Sequence, residues 1–217
     1  MGNESSTVTA GIRDQVDSRN NVVYKLGDVT GNGELALLAR EALRSNDFRL
    51  LDEKIREKIR PLLYNDGEGM LLPIESIIAL RHKERTGSEL NVPPSGVRKA
   101  VTWRIDKRGT VGETLLHVCF LSGLPEHMKL LAKRLVAMFP KIINDFYLCD
   151  EYYGESVLHM GICSENPEIV RYLLSHGADV SQRCCGNFFT CDDQKGTRTD
   201  AADQEIVLLS KSTTYNG

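Results

Sequence analysis

The sequence Val-Gly-Glu-Thr-Leu-Leu-His at residues 111–117 returns as Tyr-Gly-Glu-Ser-Val-Leu-His at residues 153–159. Gly112 and Gly154 stand 42 residues apart. In each copy an apolar helical stretch follows, then a break, then a second amphipathic stretch. A chain with such a period builds one small unit repeatedly and stacks the copies, because no single unit can bury its own apolar face. The residue types fit that reading. Gly112 and Gly154 admit a tight turn before a helix. The hydroxyls of Thr114 and Ser156 are placed to cap that helix. Leu116 and Leu158 point to a core. His117 and His159 occupy the same slot of the unit, so they read as structural groups that hydrogen-bond backbone between neighbouring repeats, not as metal ligands or catalytic bases.

The second copy continues as Asn166-Pro167-Glu168-Ile169-Val170-Arg171-Tyr172-Leu173-Leu174-Ser175-His176-Gly177-Ala178-Asp179-Val180. This resembles an ankyrin repeat, whose pattern joins a Gly-x-Thr-Pro-Leu-His start to a Val-x-x-Leu-Leu second helix and a Gly-Ala-Asp-Val turn. Gly177 and Asp179 fall in that turn, and the match spans about 33 residues, the period expected. The first copy is longer, with its excess around 124–127 and 138–149. The implied fold is an all-α ankyrin-repeat solenoid, with two clear repeats, a degenerate first one, long finger loops and disordered termini.

Organisation follows from the same pattern. Residues 1–32 are polar and read as a flexible tail. Residues 33–100 form a helical region containing the degenerate repeat. In it, helices are expected over 34–44, with Leu35, Leu38, Ala39 and Ala42 inward, and over 48–60, with Leu51, Ile55 and Ile59 inward. A third is expected from Pro73 to about Lys83, with Ile74, Ile77, Ile78 and Leu80 inward. The charge run from Asp52 to Lys58 reads as a solvated face. The loop 87–96 carries Pro93-Pro94. Residues 101–150 form a repeat with an extended finger, 151–183 a second repeat, and 184–217 a finger loop that stops before the next repeat.

Further stretches narrow the resemblance. They are Trp103-Arg104-Ile105-Asp106-Lys107-Arg108-Gly109, Phe139-Pro140-Lys141-Ile142-Ile143-Asn144-Asp145, Tyr152-Tyr153-Gly154-Glu155 and Gly186-Asn187-Phe188-Phe189. Over about 22–217 the chain is similar to the N-terminal ankyrin region of vanilloid-type transient receptor potential (TRPV) cation channels, in particular their invertebrate subgroup. The resemblance implies a cytosolic piece of a tetrameric, calcium-permeable channel subunit, truncated before the membrane domain. It would serve protein contacts in assembly and gating at the cytoplasmic face of the plasma membrane, and it supplies no pore. Its implied partners are other channel subunits. A free-standing scaffold, or a dominant-negative subunit, that binds another cytosolic protein is the alternative. Some relatives bind ATP, but two lysines they use correspond here to Glu113 and Val118. A carboxylate facing a triphosphate is repulsive, and no cofactor is expected.

In either reading, finger aromatics are the candidate anchors for a partner: Phe146, Tyr147, Tyr152, Tyr153, Phe188 and Phe189. The same rings would equally serve to pack one finger on the next. Composition removes other classes. The chain has 217 residues, 41% hydrophobic and 26% charged, with a net charge of −3, so no strong positive field draws nucleic acid. No stretch of about 20 apolar residues is present to span a membrane. The six cysteines lack C-x-x-C spacing and read as free thiols, without a metal. No catalytic triad or phosphate loop stands out, and no enzyme is expected. Met1-Gly2-Asn3-Glu4-Ser5-Ser6 fits an N-myristoylation pattern at Gly2, beside its reading as an ordinary polar tail.

Overall fold

The computed structural model describes residues 33–109 and 111–189. Expectations for the two tails, including Gly2 and Cys191, lie outside these residues. The chain divides into two compact units with the boundary between Ile142 and Ile143.

The first unit begins with α1 (Glu34–Ser45), rich in Ala, Leu, Glu and Arg, which lose little entropy in a helix. Glu34 in the first turn and Arg44 in the last match the helix dipole. Asn46 ends α1 in the left-handed conformation (φ 53°). Asp47 then accepts the Arg49 amide at 3.1 Å and opens α2 (Arg49–Ile59). Leu51, Ile55 and Ile59 form the buried stripe of α2. The buried face of α1 is Leu35, Ala36, Ala39 and Ala42. Leu38, expected inward, is only half-buried, and Ala36 takes the place. Both helices reach α5 (Glu126–Met138), and the small alanines let α1 approach it closely.

The charge run on α2 is not wholly solvated. Asp52 is held by a guanidinium fork from Arg134 of α5, with Nε to Oδ1 at 2.7 Å. Arg134 also lies over the Phe48 ring, 5.2 Å from its centre.

After a 3₁₀ turn at Arg60–Leu62, which Pro61 favours, a feature appears that the sequence pattern does not announce. Strand β1 (Met70–Pro73) pairs antiparallel with β2 (Arg98–Val101), Met70 opposite Val101 and Pro73 opposite Arg98. Leu63 pairs with Trp103 beyond it. Gly69 (φ 69°) is required at the entry, because a Cβ there would press on the Val101 carbonyl. Trp103 is fully buried, and its indole Nε1–H donates to the Lys107 carbonyl at 2.9 Å. Helix α3 (Ile74–Thr86) lies between the strands in sequence and ends at Gly87 (φ 72°). Of its four expected core residues only Ile77 is buried. Ile74 and Ile78 are half-buried and Leu80 is exposed, because the two-stranded sheet covers only part of the helix.

Next comes the pair α4 (Leu115–Leu121) and α5, which pack together through Leu115, Leu116, Cys119, Leu131 and Leu135.

In the second unit, α6 (Val157–Cys163) packs on α7 (Pro167–Ser175), with Val157, Leu158, Ile169 and Leu173 buried. Asn166 caps α7 through its side chain, accepting the Ile169 amide at 3.2 Å. Here the packing alternative holds for the start of the finger. Residues 143–149 are buried almost without break, Phe146 at 2% exposure and Tyr147 at 3%. The apolar content of Ile143, Phe146, Tyr147 and Leu148 explains it, since leaving such side chains in water would cost several kcal/mol.

Candidate protein-interaction site

The two matching turns are built alike. In the first unit, the Thr114 amide donates to His117 Nδ1 at 3.2 Å, and the Thr114 hydroxyl lies 2.8 Å from the same nitrogen. The His117 amide returns a bond to Thr114 Oγ1 at 3.5 Å. In the second unit, the Ser156 amide donates to His159 Nδ1 at 3.1 Å, with the hydroxyl at 2.9 Å. This is a reciprocal capping box in which histidine replaces the usual Glu or Gln. A backbone amide can only donate, so Nδ1 must accept. Each neutral ring therefore carries its proton on Nε2. Burial pushes the His159 pKa down, and a hydrogen bond with the Gln182 backbone partly offsets it. The histidines sit inside caps, an arrangement that fixes the ring and leaves no nitrogen pair facing a substrate.

The glutamates of the two motifs have environments the sequence did not signal. Glu113 is 1% exposed. Its Oε2 accepts the Val111 amide at 2.9 Å, while Oε1 has no hydrogen-bond partner among the described residues. Gly109 makes room for it, as any Cβ there would overlap the carboxylate. Arg81 of α3 donates to the Gly109 carbonyl at 3.2 Å, and buried Arg108 donates to the Gly112 carbonyl at 3.2 Å. Burial raises the Glu113 pKa, opposed by its backbone hydrogen bonds and by the two arginines. Glu155 is pushed up by burial to about 7.

The second unit carries the surface of interest. Gly154 (φ 89°) brings residues 147–155 into a tight turn, with the Tyr147 amide donating to Glu155 O at 2.8 Å and the Gly154 amide to Tyr147 O at 3.1 Å. A Cβ on Gly154 would overlap the Arg183 carbonyl. That close approach zips the turn to residues 183–189. The Cys185 and Gly186 amides donate to Tyr153 O at 2.7 and 3.1 Å, and the Phe188 amide to Glu151 O at 2.9 Å.

The zipper gathers the aromatics. Phe146 lies edge-on to Tyr153 at 5.9 Å. Tyr147 contacts Tyr152 at 6.2 Å, and Tyr152 contacts Phe188 at 5.2 Å and Phe189 at 6.2 Å. Phe188 and Phe189 meet at 5.3 Å. All six rings therefore join two clusters, but they divide by exposure. Phe146 and Tyr147 are buried and cannot anchor a partner, which corrects the expectation placed on them. Tyr153 and Phe189 are intermediate. Tyr152 and Phe188 open to solvent, at 38% and 48%.

At the other end of the unit, Gly177 (φ 88°) forms the turn after α7. Asp179 Oδ1 accepts from the Ser181 amide at 2.8 Å and its hydroxyl at 2.6 Å. Asn144 reaches this turn from 35 residues upstream, a contact no local sequence signal could reveal.

Among the described residues no group of three or more His, Cys, Asp or Glu is placed to hold a metal ion, and no helix is long and apolar enough to cross a membrane. The described cysteines are free thiols. Residues 94–184 match the family model of ankyrin repeats (3 copies). Residues 94–184 thus carry ankyrin repeats, the fold class is the all-α ankyrin-repeat solenoid, and such repeats are a protein-interaction module. No curated protein matches the chain.

Proposed function

We propose that this chain is the cytosolic ankyrin-repeat part of a TRPV-like, calcium-permeable cation channel subunit, in which the zipped loops 147–155 and 183–189 make protein contacts during assembly and gating. The observation that carries the contact role is the exposed ring pair Tyr152–Phe188, fixed on a hydrogen-bonded and aromatic base. Rigid, half-exposed aromatic side chains bind with little loss of entropy. The channel assignment is supported by the sequence stretches 103–109, 139–145, 152–155 and 186–189. On this reading the chain acts at the cytoplasmic face of the plasma membrane, as part of the longer subunit, alongside other subunits. It conducts no ions itself and performs no chemical step.

The test is co-precipitation of the tagged chain with a full-length TRPV-type subunit, using the native sequence and a Tyr152→Ala/Phe188→Ala variant. Association that the double substitution removes supports the reading. Absence of association with any such subunit, together with stable capture of a soluble protein through the same two rings, would establish the free-standing scaffold instead.

A further inference from the structure

We propose that the Tyr152–Phe188 surface, edged by Asp150 and Glu151, receives an arginine-bearing segment of its partner protein. The proposal rests on the contact reading above and adds the chemistry of the occupant.

Three observations lead to it. The first is charge. Residues 143–189 hold seven acidic side chains against two basic ones, Arg171 and Arg183, a net charge of −5, while the entire chain carries −3. The acidity is concentrated in the unit that bears the exposed rings. Asp150 and Glu151 immediately precede Tyr152, and both are exposed. A cationic partner is drawn to such a field, and a like-charged one is turned away.

The second is ring geometry. Tyr152 and Phe188 lie 5.2 Å apart with planes at 37°, and Phe189 meets Phe188 edge-on at 88°. These are separations of rings in direct contact. No slot remains between them for an ammonium group, so this is not an aromatic cage. What it offers is two rings open to solvent side by side, Tyr152 at 38% and Phe188 at 48%. A flat guanidinium stacks on such rings, whereas a compact, strongly hydrated lysine head gains less there.

The third is placement. The Phe188 amide donates to the Glu151 carbonyl at 2.9 Å, which holds the acidic edge against the ring pair. An arginine lying on the rings would thus sit beside the chain segment that carries Asp150 and Glu151, whose negative charge attracts the guanidinium. Buried Tyr147 also contacts Tyr152 at 6.2 Å, so the surface is in place before binding.

The experiment measures binding of fluorescein-labelled octa-arginine and octa-lysine to the full chain by anisotropy, at low and at physiological salt. Octa-arginine should bind roughly fivefold more tightly than octa-lysine, the ratio that stacking on an exposed ring supports. Tyr152→Leu/Phe188→Leu keeps apolar bulk and removes both exposed rings, and should erase that preference. Asp150→Asn/Glu151→Gln should weaken both peptides by about tenfold at low salt, with less effect as salt screens the charges. Equal affinity for the two peptides, or an arginine preference that survives Tyr152→Leu/Phe188→Leu, would overturn the proposal and leave general charge attraction. If octa-arginine fails while partner capture still depends on Tyr152 and Phe188, the occupant chemistry is wrong and the contact reading stands. Loss of that dependence defeats the contact reading itself.

Discussion

Asn144 clamps the turn at Asp179. Its side-chain Oδ1 accepts the Asp179 amide at 2.8 Å, and its Nδ2 donates to the Gly177 carbonyl at 3.0 Å. One amide side chain therefore satisfies two backbone groups of the turn. Asn144→Ala should lower stability by about 1 kcal/mol, since each bond is partly solvated and its net worth is modest. Asn144→Asp keeps the acceptor but loses the donor and should cost more than half as much. Urea denaturation midpoints at constant m-value check both.

Gly109 and Glu113 form a second coupled pair. A methyl group at Gly109 would overlap the buried carboxylate, so Gly109→Ala should destabilise the chain by about 1–3 kcal/mol through overpacking. Shortening the acid relieves the overlap. In the Gly109→Ala/Glu113→Ala double variant the two penalties should fall short of additivity by about 1 kcal/mol. Strict additivity in a thermal-unfolding cycle would show that the two sites are independent.

Glu155 gives a pH dependence of defined sign. Burial raises its folded-state pKa to about 7 from 4.5. The unfolded chain then releases the proton first, so the favourable contribution is complete below pH 4.5. It is lost as pH rises from there to about 7. Glu155→Gln should stabilise the chain at pH 7.5 by about 1–3 kcal/mol and flatten the stability profile between pH 4.5 and 7. Calorimetric melting temperatures across that range provide the measurement, and an unchanged slope would count against the assignment.

The His159 cap responds in the opposite sense. The His159 pKa is lowered by burial, so the unfolded chain takes up a proton more readily than the folded one. Stability from this cap is complete above the ordinary histidine value of 6.5 and declines as pH falls below it. Protonation also places a donor on Nδ1, where the Ser156 amide already points. Ser156→Ala should cost about 1 kcal/mol at pH 7.5 and Ser156→Thr much less. In ¹⁵N spectra at neutral pH, His117 and His159 should both show the Nε2–H tautomer, and an Nδ1–H signal would contradict the cap geometry.

What was legible early was whatever repeats or stays local. The Gly-Glu-[Thr/Ser] motif marks two turns, and the hydroxyls of Thr114 and Ser156 mark the helix starts at Leu115 and Val157, whereas His117 and His159, expected to bond backbone between neighbouring repeats, bond the N-cap amides of their own helices. The Leu51, Ile55, Ile59 stripe follows from helical period alone. The antiparallel β1–β2 pair was not legible, because two four-residue strands separated by α3 carry no clear alternation and their pairing is a long-range event. Whether Phe146 and Tyr147 anchor a partner or pack inward stays open in the sequence for a related reason. A segment without helical or strand period reads as a loop, and loops are assumed exposed. Only the tertiary structure could separate the aromatics into supporting and exposed rings.

The amino-acid sequence by itself determined the class of unit, its turns and its caps, because these depend on backbone conformation and on contacts within a few residues. The three-dimensional structure decided which side chains meet water. Tyr152 and Phe188 became a surface, and Glu113 a buried acid, through chain segments brought together from afar. Solvent exposure and the electrostatics that follow from it are properties of the folded arrangement, and no window of neighbouring residues contains them.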